Sequence, residues 1–142
     1  MIQDDFFGPS VLIALGFANY ELDVDSSTPL SLTSTRYKGM FLGIRGTMPV
    51  SDDRRWNLGA SLKYFFKSDL TESPQDSGGS SNTITQFSLI GYYQQNTRMR
   101  FTGSLDFSLF SSRFDGGGSR TFQATDASQK FTTLSGGVEY LF

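Results

Sequence analysis

Apolar and polar side chains alternate with a period of two along most of the chain, and no stretch carries the 3.6-residue spacing of an amphipathic helix. The clearest case runs from Trp56 to Lys67. One face carries Trp56, Leu58, Ala60, Leu62, Tyr64 and Phe66; the other carries Asn57, Gly59, Ser61, Lys63, Phe65 and Lys67. From Arg98 to Ser111, Met99, Phe101, Gly103, Leu105, Phe107 and Leu109 face one way, and Arg100, Thr102, Ser104, Asp106 and Ser108 the other. The last segment sets Leu134, Gly136, Val138, Tyr140 and Phe142 against Thr133, Ser135, Gly137 and Glu139. Weaker alternation occupies 35–48 and 83–94. Residues 10–24 are apolar on both faces, which leaves their register open. The pattern predicts six antiparallel strands, at about 10–24, 35–48, 55–67, 83–94, 98–112 and 130–142, in one all-β domain over 1–142.

The connections alternate in length. Pro49 to Arg54 and Gln95 to Thr97 read as tight polar turns, whereas Asp25–Ser34, Ser68–Asn82 and Arg113–Gln129 read as long loops rich in Ser, Gly, Asp and Thr. Strands of about a dozen residues exceed the usual five or six and match the roughly 9–11 needed to cross a hydrocarbon layer at a tilt. With short turns on one side and long loops on the other, the pattern is that of an up-and-down transmembrane β-barrel whose termini share the short-turn, periplasmic side. Trp56, Tyr93, Phe101, Tyr140 and Phe142 then gather at that end of the apolar face, and Tyr64, Phe66, Phe87 and Phe107 toward the other. Two aromatic bands around an aliphatic middle are expected at the two membrane interfaces. The alternative is a soluble up-and-down barrel whose apolar face points inward around a small apolar ligand.

Composition narrows the functions. The 142 residues include no cysteine and no histidine. Disulfides, thiolate chemistry, histidine metal sites and a Ser-His-Asp triad are therefore excluded. Without these groups, a non-enzymatic protein without a cofactor is expected. A net charge of −2 and a pI near 4.9 leave no basic stripe for nucleic acid. The mean hydropathy of −0.26 and the lack of a long apolar run argue against a membrane helix but not against a barrel, whose strands average both faces. Met1 is followed by Ile2, Gln3, Asp4 and Asp5 rather than by a basic and then apolar leader. The chain is expected to be the mature form of an exported protein with an added start methionine.

The ending Gly137-Val138-Glu139-Tyr140-Leu141-Phe142 resembles the closing strand of bacterial outer-membrane β-barrel proteins, with a terminal Phe, an aromatic two residues earlier and apolar residues at alternate positions upstream. The specific match covers only this strand. The resemblance implies residence in the outer membrane of a Gram-negative cell, contact with membrane lipids, and recognition of Tyr140 and Phe142 as an insertion signal by the barrel assembly machinery.

Six strands are too few for a closed barrel, since about eight leave an interior just filled by side chains. Two strands could be hidden in loops (120–125 is one candidate), protomers could share strands in a homo-oligomer, or the barrel could be truncated. The face opposite the apolar one also holds Phe41, Phe65, Ile90, Phe110, Phe131 and Leu141. These side chains either pack a small barrel or give a larger ring a partly apolar, lipid-containing interior. The lumen-facing charges are expected to be Arg45, Lys63, Lys67, Arg100, Asp106 and Glu139, with Glu139 near Arg100 across the last two strands. They form either a pore lining or a rigidifying salt-bridge network. Asp23, Asp25, Asp69, Glu72 and Asp76 lack the spacing of a calcium loop and are expected to be solvated. Gly116–Gly118 is a flexible hairpin tip rather than a phosphate loop. The function expected is that of a pore or structural membrane element; surface adhesion through the long loops is a third option.

Overall fold

The computed structural model describes residues 8–24, 33–120 and 125–140. They form six strands: β1 (Ser10–Leu22), β2 (Ser34–Pro49), β3 (Trp56–Ser73), β4 (Ser80–Gln94), β5 (Met99–Phe114) and β6 (Asp126–Tyr140). Each pairs antiparallel with the next, in the order β1-β2-β3-β4-β5-β6. Among the described residues β1 and β6 make no contact, so the sheet stays open. Leu141, Phe142, Asp25 and most of the candidate strand at 120–125 lie outside the described residues.

The strands run further than the alternation alone suggests. Ser34–Lys38 pairs with Asp69–Ser73, and Ser80–Thr83 pairs with Ser111–Phe114. Of these residues, Ser34, 69–73, 80–82 and 113–114 fall in segments whose composition reads as loop, yet their backbones continue the ladder. The connection between β3 and β4 shrinks to residues 74–79, about as short as the 50–55 turn. The expected contrast of short and long connections survives only at 23–33 and 115–125.

One irregularity reassigns a charged residue. Met40 faces Lys67 across the β2–β3 ladder, whereas Phe41 faces Phe65. Phe66 is the extra residue of a β-bulge, which inverts the facing of every later residue of β3. Lys67 therefore shares a face with Met40, not with Lys63, and its expected place among the inward charges is corrected.

The sheet curls strongly. In a flat sheet β2 and β5 would lie about 14 Å apart at the usual strand spacing. Instead the Tyr37 hydroxyl of β2 lies 3.1 Å from Ser112 Oγ of β5. Tyr20 of β1 makes edge contacts with Phe65 and Phe110, with centroids 5.9 and 5.3 Å apart. The result is a trough whose concave face holds the buried cluster Tyr37, Phe65, Ile84 and Phe110, backed by Tyr20, Phe41 and Leu70. Pairing with β2 also settles the register of β1: Val11, Ile13, Leu15 and Phe17 point outward, and Ala14, Gly16, Ala18 and Tyr20 inward.

Candidate functional site

The convex face is apolar and uncovered. Leu15 and Phe17 on β1, Leu42, Ile44 and Met48 on β2, Trp56, Leu58 and Leu62 on β3, Leu89 on β4 and Phe107 on β5 are all exposed, and Leu134 on β6 reaches 83%. A sheet in water packs its apolar face against a second layer, because each large apolar side chain left exposed forgoes about 1.5–3 kcal/mol. This sheet instead packs its mixed face and presents the greasy one.

The apolar belt has edges. On β2 it runs from Met40 to Met48; at about 3.4 Å per residue that is ~27 Å along the strand. A strand tilt of about 40° projects this to ~21 Å. Beyond Met40 the outer face turns charged: Lys38 pairs across the ladder with Asp69, Arg36 lies beside Glu21 in an ion pair, and Lys67 stands next to Met40.

The aromatics line the short-turn end of this belt, whereas Phe87 and Phe107 lie level with Leu62 and Ile44 in its middle rather than in a second band. The Trp56 ring lies tilted against Tyr93 at 4.8 Å and Tyr93 stacks on Phe101 at 6.4 Å, so three strands carry one row at the short-turn end. Tyr140 lies on the same face, opposite Met99. Phe87 stacks on Phe107 at 6.3 Å, while Tyr64 and Phe66 project outward, half exposed.

The concave face divides into two zones. Toward the short turns lie the charges. Arg100 forms an ion pair with Glu139, as the pairing of β5 with β6 requires, and its guanidinium sits 4.7 Å over the Tyr92 ring. Arg45 donates to the Tyr92 hydroxyl at 3.5 Å. Lys63 lies 5.4 Å over the Phe41 ring. Asp106 accepts from Ser104 at 2.6 Å and interacts with Lys63 and Arg45 through space. Five of the six charges read as inward are thus brought into one polar zone, and Lys67 is not. The next zone is the aromatic plug. Phe41, Phe65, Phe110 and Phe131 enter it from the positions expected. Phe131 meets Phe110 edge-on at 5.8 Å. Ile90 is also buried on the concave face.

Two parts of the interior escape a strand-by-strand reading. Tyr20 and Tyr37 complete the plug from β1 and β2. Their signal is that they face each other across the first hairpin. Beyond the plug, Glu72 is not a solvated loop acid, and that expectation is corrected. Its side chain is only 6% exposed. It accepts from Thr33 Oγ1 at 3.1 Å and Ser77 N at 2.5 Å, and the Arg120 guanidinium lies 3.9 Å away. Asp76 accepts from the Ser119 amide, and the Asp115 amide donates to Gly79 O, which ties the 74–79 and 115–120 connections together. The long-loop end carries an ordered cap over a packed plug. Among the described residues no group of His, Cys, Asp and Glu could hold a metal ion, and no helix is long and apolar enough to cross a membrane. Comparison with protein-family models, curated proteins and solved structures gives no match for this chain.

Proposed function

We propose that this chain is a non-enzymatic integral protein of the bacterial outer membrane, whose convex face meets lipid. The observation that carries the reading is the exposed apolar belt, edged by aromatics at the short-turn end and by charged residues, with the Arg36–Glu21 ion pair among them, at the other. Its height of ~21 Å approaches the roughly 25 Å apolar band of outer-membrane strands. The soluble ligand-binding alternative needs its apolar face inside and an open cavity there; here the concave face is filled by Tyr37, Phe65, Ile84 and Phe110.

The plug and cap also bear on what such a protein does in the membrane. A single trough closed at the long-loop end does not conduct, so the chain acts as a structural element or contributes to a pore shared between copies. Copies joined in a ring give an interior that is partly apolar and holds lipid. Insertion proceeds through the assembly machinery, with Tyr140 and Phe142 as its signal.

Fractionation of expressing cells tests the reading. The protein is expected in the outer-membrane fraction, resistant to extraction by alkaline carbonate and released only by detergent. A monomer that stays in solution without detergent would contradict it.

A further inference from the structure

Among the described residues β1 and β6 are the edges of the sheet, and each pairs with one neighbouring strand only. In hydrocarbon each unpaired group costs several kcal/mol, which lipid cannot repay. Six strands are fewer than the eight or so that close around packed side chains, and among the described residues β1 and β6 do not touch. β1 runs away from the short-turn end and β6 returns to it. Copies related by rotation about the membrane normal therefore bring β6 of one against β1 of the next in antiparallel sense, a head-to-tail contact that closes into a ring.

Resting on the membrane reading above, we infer that β6 pairs with β1 of a second copy in the register that sets Phe17 opposite Leu134. Three features choose it. Outward residues of β1 are odd-numbered and those of β6 even-numbered, so only odd position sums keep both apolar faces on one side. Centring the apolar run Val11–Phe17 on the run Leu134–Tyr140 then places Ile13 against Val138. The same register brings Glu21 opposite Lys130, so an acid and a base meet at the belt's upper edge. Sliding by two residues one way sets Asn19 against Leu134; sliding the other way sets Phe17 against Thr132 and removes the charge pair. On the concave side the chosen register places Tyr20 opposite Phe131, which extends the plug across the seam.

The chain has no cysteine, so engineered pairs report the register directly. Leu15→Cys with Gly136→Cys puts two thiols directly opposite each other, where Cα atoms lie about 4.5–5.5 Å apart and a disulfide fits. The offset pairs Leu15→Cys with Leu134→Cys and Leu15→Cys with Val138→Cys are diagonal, about 7–8 Å apart. Oxidation in membranes is expected to turn the first pair into a ladder of multimers on non-reducing gels, and to leave both offset pairs and each single variant without a ladder. A ladder from an offset pair, or an intrachain disulfide that leaves a monomer, would overturn the assignment. Flotation with membranes is read on every variant. A floating protein without cross-links refutes the seam alone; a protein that stays soluble refutes the membrane reading beneath it. The unaltered chain gives an independent check, because a detergent-corrected mass equal to one protomer also overturns the seam.

Discussion

The Tyr20 hydroxyl on β1 donates to Gln86 Oε1 on β4 at 2.9 Å, across a trough three strands wide. Gln86 passes the contact on, donating from Nε2 to Ser108 Oγ at 3.1 Å on β5. This chain of polar contacts and the rings around it hold the sheet in its curl, so the curvature belongs to the single chain.

Removing the plug is expected to cost more than removing its hydrogen bond. Phe110 is 3% exposed and touches Tyr20, Tyr37 and Phe131. Phe110→Ala should destabilise the folded protein by about 3–5 kcal/mol, and Tyr20→Phe by about 1 kcal/mol. Urea unfolding in lipid vesicles, followed by Trp56 fluorescence, measures both; equal shifts would argue that the rings do not set the curl.

A charge placed in the middle of the convex face discriminates water from lipid. Leu89 is 46% exposed; on a soluble surface Leu89→Arg would change stability by no more than about 0.5 kcal/mol. In the mid-belt of a lipid-facing sheet it should cost about 2–4 kcal/mol. The inserted fraction and the unfolding midpoint report the difference.

The cap depends on Glu72. Glu72→Ala leaves the Ser77 amide and Thr33 hydroxyl without their acceptor and removes the carboxylate 3.9 Å from the Arg120 guanidinium. A loss of about 1–3 kcal/mol follows, confined to the long-loop end. Limited proteolysis on intact cells should show faster cleavage at 74–79 with insertion unchanged.

The 50–55 turn carries a pH dependence of known sign. The Ser51 hydroxyl, at 2.6 Å, and the Arg55 amide, at 3.2 Å, both donate to Asp53 and hold its carboxyl below the ordinary aspartate range. A depressed folded pKa gives stability that is present above the unfolded value and lost as pH falls through the folded one. Asp53→Asn should therefore lower the unfolding midpoint at neutral pH, and the gap to the parent should close in acid. A gap that widens in acid would contradict this.

Alternation made most of the sheet legible in the residues themselves. Trp56 to Phe65 and Met99 to Leu109 face as their period demands, and Arg100 meets Glu139 because neighbouring antiparallel strands bring them opposite. What stayed hidden has physical reasons. A bulge at Phe66 adds one residue without altering the apparent pattern of Phe65, Phe66 and Lys67, so Lys67 read as inward. Ser68–Ser73 carries a single apolar residue, Leu70, and Ser80–Asn82 none, and stretches this polar cannot be told from a loop by periodicity. Residues 10–24 are ambiguous because Ala14 and Ala18 line the trough with apolar groups opposite the outward Val11, Ile13, Leu15 and Phe17; only pairing with β2 resolves them. Glu72 gains its role from residues 77 and 120, a relationship that no local spacing encodes.

Trp56 is the only tryptophan and lies on the convex face at the short-turn end, 54% exposed and in tilted contact with Tyr93. Its fluorescence in vesicles of bromine-labelled lipids tests the account most directly. Strong quenching by lipids brominated near the headgroup, weaker quenching by lipids brominated near the chain ends, and protection from aqueous iodide are expected of a ring at the membrane interface. Full access to iodide with no quenching by either lipid would place the convex face in water and contradict the account.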